Sequence, residues 1–176
     1  MNLKERFQEA KETVGNTLRT DAERGANTDI LGTLKKEHDE VKGLLSDLQS
    51  SKSSAERKGL VKKIGAALVP HSVAEEKVVY KKMIALSDKQ AQVDGYEGSL
   101  EHTWAAKTLE RLAAIDDAAS SEHLATAKVL KELVEHHIKE EESNIWRDVR
   151  KHCSDEDRAQ MNARYLSEKQ QVPIPS

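Results

Sequence analysis

The sequence predicts an all-α fold: an antiparallel up-down four-helix bundle with an extra N-terminal helix and a short C-terminal helix. Three observations carry this. Eight glycines and three prolines in 176 residues are about half the usual combined share of these breakers. Charged residues make up 34% and aromatics 3%, which suits long helices with solvated outer faces. Apolar residues also recur at three- and four-residue spacing over long stretches, the period of an α-helix face.

The elements follow in order. Leu3, Phe7, Ala10 and Val14 lie on one face of a helix over 3–15. The polar stretch 17–28 reads as a linker. A long helix starts at Thr28 or Asp29, both plausible N-caps, with Leu31, Leu34, His38, Val41, Leu45 and Leu48 in phase; polar residues 49–54 end it. The next stripe is Leu60, Ile64, Leu68, His71, Glu75, Val78, Val79 and Met83. Pro70 interrupts it and predicts a bend, or two shorter helices meeting there. Residues 87–98, with Gly95 and Gly98, read as a loop. A third helix after Ser99 aligns His102, Ala105, Ala106, Leu109, Leu112 and Ala113, and turns near 118–121. The fourth runs from about Glu122 to Lys151, with Leu130, Leu133, His137, Glu141, Ile145 and Val149 in phase. Ser154 and Asp157 form a capping pair for a last helix to about Ser167, followed by an extended, mobile tail, 172–176. The domain organisation expected is an N-terminal helix and linker over 1–27, the bundle over 28–151, and a short helix and tail over 152–176.

Composition excludes several classes. A net charge of −3 gives no electrostatic footprint for nucleic acid. The single cysteine, Cys153, excludes an intramolecular disulfide and a zinc-finger framework; it reads as an ordinary helix-end thiol. The start MNLKERFQEAKE has no apolar signal-peptide core, and no run approaches the ~18 apolar residues of a membrane span. The expectation is a soluble, cytoplasmic protein with no membrane or nucleic-acid partner.

The bundle repeats as two halves. Glu37-His38 recurs as Glu101-His102, with leucines at +7 and +10 in both copies. His71-Ser-Val-Ala-Glu75 recurs as His137-Ile-Lys-Glu-Glu141. A second glutamate follows each (Glu76, Glu142), then an aromatic at +9 from the histidine (Tyr80, Trp146). Residues i and i+4 share a helix face, about 6 Å apart along the axis. A histidine and a glutamate so placed reach one point inside a bundle. Two such pairs, plus one histidine from each remaining helix, bring four imidazoles and two carboxylates together. That donor set suits iron or another divalent metal with affinity for imidazole. The candidate ligands are His38, His71, Glu75, His102, His137 and Glu141. Two bridging carboxylates would hold two ions, with a bridging oxide or hydroxide completing the charge. Leaving these six groups buried without metal would cost several kcal/mol. His136 falls off the stripe, among Glu132 and Glu140, and faces water. His123 lies at a helix start, and His152 near a helix end, where it suits the dipole.

Segments 29–45, 70–80, 100–112 and 136–146 resemble the hemerythrin-like, or HHE cation-binding, domains. The order H…HxxxE…H…HxxxE carries the resemblance over residues 29 to about 150. It implies an antiparallel four-helix bundle with a non-haem di-iron centre, ligated at the six positions above with both glutamates bridging. Oxygen-carrying members have a further histidine four residues after the third ligand histidine; here that residue is Ala106. They also have aspartate in the last helix. The chain is therefore similar to the symmetric bacterial branch. The function this implies is binding of O2, NO or peroxide for sensing, buffering or stress defence. The alternatives are a di-iron oxidoreductase acting on NO or peroxide, iron donation for cluster repair, and a metal-free structural bundle. Residues 1–28 have none of the cysteines of the repair branch. A ferritin-like oxidase needs Glu-x-x-His pairs, and no histidine here has a glutamate three residues before it.

Overall fold

A computed structural model describes residues 29–173. The helix expected over 3–15, the linker 17–28 and the last three residues of the tail lie outside the described residues. The elements are α1 (Ile30–Ser50), α2 (Ser54–Glu75), a π-helical turn (Glu76–Tyr80), α3 (Lys81–Ile84), α4 (Lys89–Ala113), α5 (Ser121–Glu140), a second π-helical turn (Glu141–Ile145), α6 (Trp146–His152) and α7 (Asp155–Gln170). The fold is an all-α bundle. Helix α1 packs on α2, α2 on α4, α4 on α5 and α5 back on α1, while α7 lies outside this ring against α1 and α2. No helix among the described residues is long and apolar enough to cross a membrane.

Side-chain caps fix the helix starts by satisfying amide donors that a first turn leaves free. Asp29 caps α1, Ser53 caps α2, Asp88 caps α4 and Ser120 caps α5. Ser154 and Asp157 form a full capping box on α7, which runs to Gln170, slightly beyond the expected end.

Two expectations are corrected. Pro70 does not divide two shorter helices: it lies within α2, which runs to Glu75, and the first π turn begins six residues after it. Residues 87–98 are not a loop, because α4 starts at Lys89 and includes them. Gly95 and Gly98 are positions of close approach, not breakers. A Cβ at Gly98 would sit 2.8 Å from Cζ of Tyr80, and one at Gly95 would sit 3.0 Å from Cγ1 of Ile84 and 3.3 Å from the Tyr80 carbonyl oxygen. Their conformational cost in a helix, about 1 kcal/mol each, goes with letting α4 approach the segment 80–84.

Two apolar clusters fill the interior. One groups Ile30, Leu34, Val79, Met83, Val149 and Cys153 with their neighbours; the other groups Leu45, Leu48, Ile64, Leu112, Leu130 and Ile138 with theirs. Between them along the helices lies a polar layer, which follows from the sequence: His38 stands between Leu34 and Val41, and His71 between Leu68 and Ala74. At the connector end, the buried Arg57 donates to the carbonyls of Ala118 and Ser51 at 2.9 and 2.7 Å, tying two connections together.

Candidate metal centre

All six residues singled out by spacing are buried and converge in the polar layer. His71 and Glu75 occupy the last turn of α2. His137 lies in the last turn of α5, and Glu141 opens the second π turn. His38 and His102 come from the middle of α1 and α4. Donor atoms of His38, His71 and Glu75 lie mutually within 4.8 Å, and so do those of Glu75, His102 and His137, so that Glu75 belongs to both groups. Glu141 faces Glu75 across the layer. Its Oε2 is 3.2 Å from His38 Nε2 and 3.6 Å from His137 Nε2. Oε2 of Glu75 is 3.2 Å from His71 Nε2 and 3.4 Å from His102 Nε2.

A second ring of carboxylates fixes the imidazoles. The Nδ1 atoms of His38, His71, His102 and His137 lie 3.1, 3.0, 3.2 and 2.8 Å from Glu142, Glu37, Glu76 and Glu101. A carboxylate only accepts, so each Nδ1 carries a hydrogen, which leaves Nε2 as the nitrogen a metal would take. Orientation of a ligand histidine by an outer carboxylate is the usual arrangement around a metal. These four glutamates are the residues just before His38 and His102 and just after Glu75 and Glu141. They were visible as repeated positions, but their role depends on helix pairing, which spacing along one helix does not reveal. His136, 62% exposed, points outward and its Nε2 is 3.4 Å from Glu101. His123 is buried near the Arg57 clamp, away from the layer. His152, at the end of α6, pairs with Asp88 at 3.3 Å. Burial raises the Cys153 thiol and keeps it protonated.

Three aromatic residues complete the layer, and sequence reasoning assigned none of them a role there. Tyr80 is fully buried, with its hydroxyl 3.4 Å from Glu75 Oε2, 3.5 Å from His102 Nε2 and 3.3 Å from His137 Nε2. Trp146, its counterpart in the second half, stacks on His38 with ring centroids 5.7 Å apart. Tyr165 of α7 donates to Glu37 at 2.6 Å, with its oxygen 3.0 Å from His71 Nδ1. The π turns explain Tyr80 and Trp146. At about 100° per residue, position +9 lies half a turn away from the histidine. A π turn absorbs one extra residue, so +9 takes the place of +8 and swings back to the histidine's face. The repeated aromatic at +9 was therefore the available sign of a π turn, a feature frequent at functional sites.

The buried groups of the layer shift one another's protonation. Burial raises Glu141, the charge of Glu75 adds to it, and together they bring it to about 7 despite His38. Burial also opposes the charge on Glu75, but His71 and the hydrogen bonds of His102 outweigh it and hold Glu75 well below the usual range. Burial works against protonated His71, yet Glu75 and Glu37 raise it to about 10. Burial, reinforced by His102 and opposed by Glu101, lowers His137 to about 4. Glu75 Oε1 and Glu141 Oε1 are buried without a hydrogen-bond partner, and His38 Nε2 and Glu141 Oε2, 3.2 Å apart, are not aligned to bond each other. Buried polar atoms are rarely left so, and lone pairs converging from imidazole and carboxylate fit a hard-to-borderline divalent cation.

An all-helical bundle enclosing a buried imidazole–carboxylate layer defines a metal-binding bundle. The chain belongs to the hemerythrin HHE cation-binding domain family, whose model matches residues 29–147. No curated protein and no solved structure matches it.

Proposed function

We propose that this protein is a non-haem di-iron binding protein of hemerythrin type, acting in the cytoplasm, that takes up O2, NO or peroxide for sensing, buffering or stress defence. The observation that carries the reading is the pair of histidine groups sharing Glu75. In this reading His38 and His71 hold one ion, His102 and His137 hold the other, and Glu75 and Glu141 bridge them. The pair of irons supplies a redox-active, Lewis-acidic centre for a small ligand. The protein holds the imidazoles in the right tautomer through the outer glutamates, and keeps the centre dry between two apolar clusters. A groove of about 330 Å³ supports access by a small ligand. It is lined by Leu68, Val73, Ala106 and Leu109, and reaches His102 and Glu76. Ala106 lines this groove where oxygen carriers place a further histidine.

Anaerobic loading with Fe(II), followed by O2, NO and peroxide in turn, tests the proposal. The expected result is two irons per chain and a visible spectrum that changes with at least one of the three and then persists. Continuous consumption of NO or peroxide would make the protein an oxidoreductase instead. Full metal occupancy in both His71→Ala and Glu141→Ala would refute the ligand assignment.

A further inference from the structure

The side chain at the centre of the layer that the six-residue scheme leaves unused is Tyr80. We infer that its phenol oxygen is a further protein donor to the ion held by Glu75, His102 and His137, making the two metal positions chemically different. The inference rests on the di-iron reading above.

The donor separations carry it. Donors about 2.1 Å from one ion lie roughly 3.0 Å apart at octahedral cis positions and about 3.4 Å apart in a tetrahedron. The Tyr80 oxygen lies 3.4, 3.5 and 3.3 Å from Glu75 Oε2, His102 Nε2 and His137 Nε2. His102 Nε2 is itself 3.1 Å from His137 Nε2 and 3.4 Å from Glu75 Oε2. Four of these five separations lie in the range set by a single shared ion, and the fifth, at 3.5 Å, lies just beyond it. The phenol therefore occupies a donor position, not an outer contact such as that of Tyr165.

Two further features of the chain place it there. The π turn rotates Tyr80 from the outer face of the helix to the inner one. Gly98 leaves the room: a Cβ there would lie 2.8 Å from Cζ and 3.0 Å from the hydroxyl oxygen. The other half of the repeat has no equivalent donor. Trp146 stands in the place of Tyr80, and an indole N–H has no lone pair to offer.

Coordination breaks the phenol O–H bond, forms an oxygen–iron bond and releases the proton to water. No electron moves in this step; dioxygen added to the Fe(II)-loaded protein is the oxidant that brings the iron to the ferric state. A phenolate bound to ferric iron has a charge-transfer band in the visible, and excitation in that band enhances the ring vibrations of the bound tyrosine.

The test is anaerobic Fe(II) loading and oxidation of the wild-type chain and of Tyr80→Phe, Tyr165→Phe and Gly98→Ala, with iron content, visible spectra and resonance Raman spectra read on each. Wild-type protein grown with ring-deuterated tyrosine reports the phenolate without any substitution. The expected result is a band whose Raman modes shift with the label, present in wild type and Tyr165→Phe, lost in Tyr80→Phe and weakened or shifted in Gly98→Ala. Iron-loaded wild type without label-sensitive modes overturns the inference and leaves the di-iron reading standing. So does a band that survives in Tyr80→Phe or vanishes in Tyr165→Phe. Wild type that takes up no iron overturns the di-iron reading itself, and this one with it.

Discussion

The two halves of the repeat carry the same histidines and glutamates at the same spacing, yet their surroundings set them apart. In the first half, α7 packs over the layer. Tyr165 and Lys169 both reach Glu37, the latter at 2.7 Å, and Glu37 in turn holds His71. Burial opposes the charge on Glu37, but the hydrogen bonds from His71, Lys169 and Tyr165 lower it to about 2. In the second half no such helix lies over Glu101 among the described residues; Glu101 holds His137, with the exposed His136 beside it. The equivalent histidines also titrate oppositely: the charge of Glu75 and the hydrogen bond to Glu37 outweigh burial and raise His71 to about 10, whereas burial and His102 lower His137 to about 4. The aromatics differ in the same way, a phenol in one half and an indole in the other. A sequence repeat defines a donor set, but the elements outside the repeat decide what each copy does.

The largest effect is expected where the halves meet. Glu75 belongs to both candidate donor groups, so Glu75→Gln should lose most of both ions, whereas His102→Gln should impair mainly one. Iron and zinc content after loading checks this, and equal losses would break the account of Glu75 as the shared ligand.

Metal removal comes next. A ligand that binds only the folded state stabilises it by mass action, about 2.7 kcal/mol at a hundred times its Kd. Chelation should lower the melting temperature by several degrees with helix content kept, as read by circular dichroism. An unchanged melting curve after verified metal removal would favour a purely structural bundle.

The outer carboxylates sharpen the comparison. Loss of a group that orients a ligand histidine typically costs 10- to 100-fold in metal affinity. Glu37→Gln should weaken the site beside His71, and Glu101→Gln the site beside His137. Tyr165→Phe should weaken only the first, which competition titrations with a chromophoric chelator would resolve. A loss spread evenly over both sites would remove the assigned role of α7.

Proton linkage separates the halves by sign. His71 is raised above its ordinary 6.5, so its contribution to metal-free stability is full below pH 6.5 and is lost as pH rises towards 10. His137 is lowered to about 4, so its contribution is present above pH 6.5 and is lost as pH falls towards 4. Metal-free His71→Gln should therefore lose stability less steeply than wild type on the alkaline side, and His137→Gln less steeply on the acid side. Denaturation midpoints across pH 4–10 check the signs. The smallest effect is expected at His136: its outward side chain means that His136→Gln should leave metal content unchanged, while His137→Gln should lose much of it.

Much of the layer was legible because helix phase is a strong signal. Placing His38, His71, Glu75, His102, His137 and Glu141 on apolar stripes required only the 3.6-residue period, and the repeat aligned them. What the period hid came from departures from it. Tyr80 and Trp146 are out of phase in a regular helix and enter only through the π turns. Gly95 and Gly98 look like loop residues until the bulk of Tyr80 beside them is known. Pro70 looks like a boundary between two helices, yet α2 runs through it and bears the loss of one backbone hydrogen bond as it packs between α1 and α4. Tyr165 lies on a helix that nothing in the sequence ties to His71. Each of these depends on a neighbour distant in the chain.

The central claim is that two halves of one sequence repeat jointly hold a pair of ions. Anaerobic titration of metal-free protein with Fe(II), followed by anomalous diffraction from crystals of the loaded chain, tests it most directly. The account predicts two iron peaks, one beside His38 and His71 and one beside His102 and His137, with Glu75 between them. A single peak at full loading, or iron bound outside this layer, would contradict it.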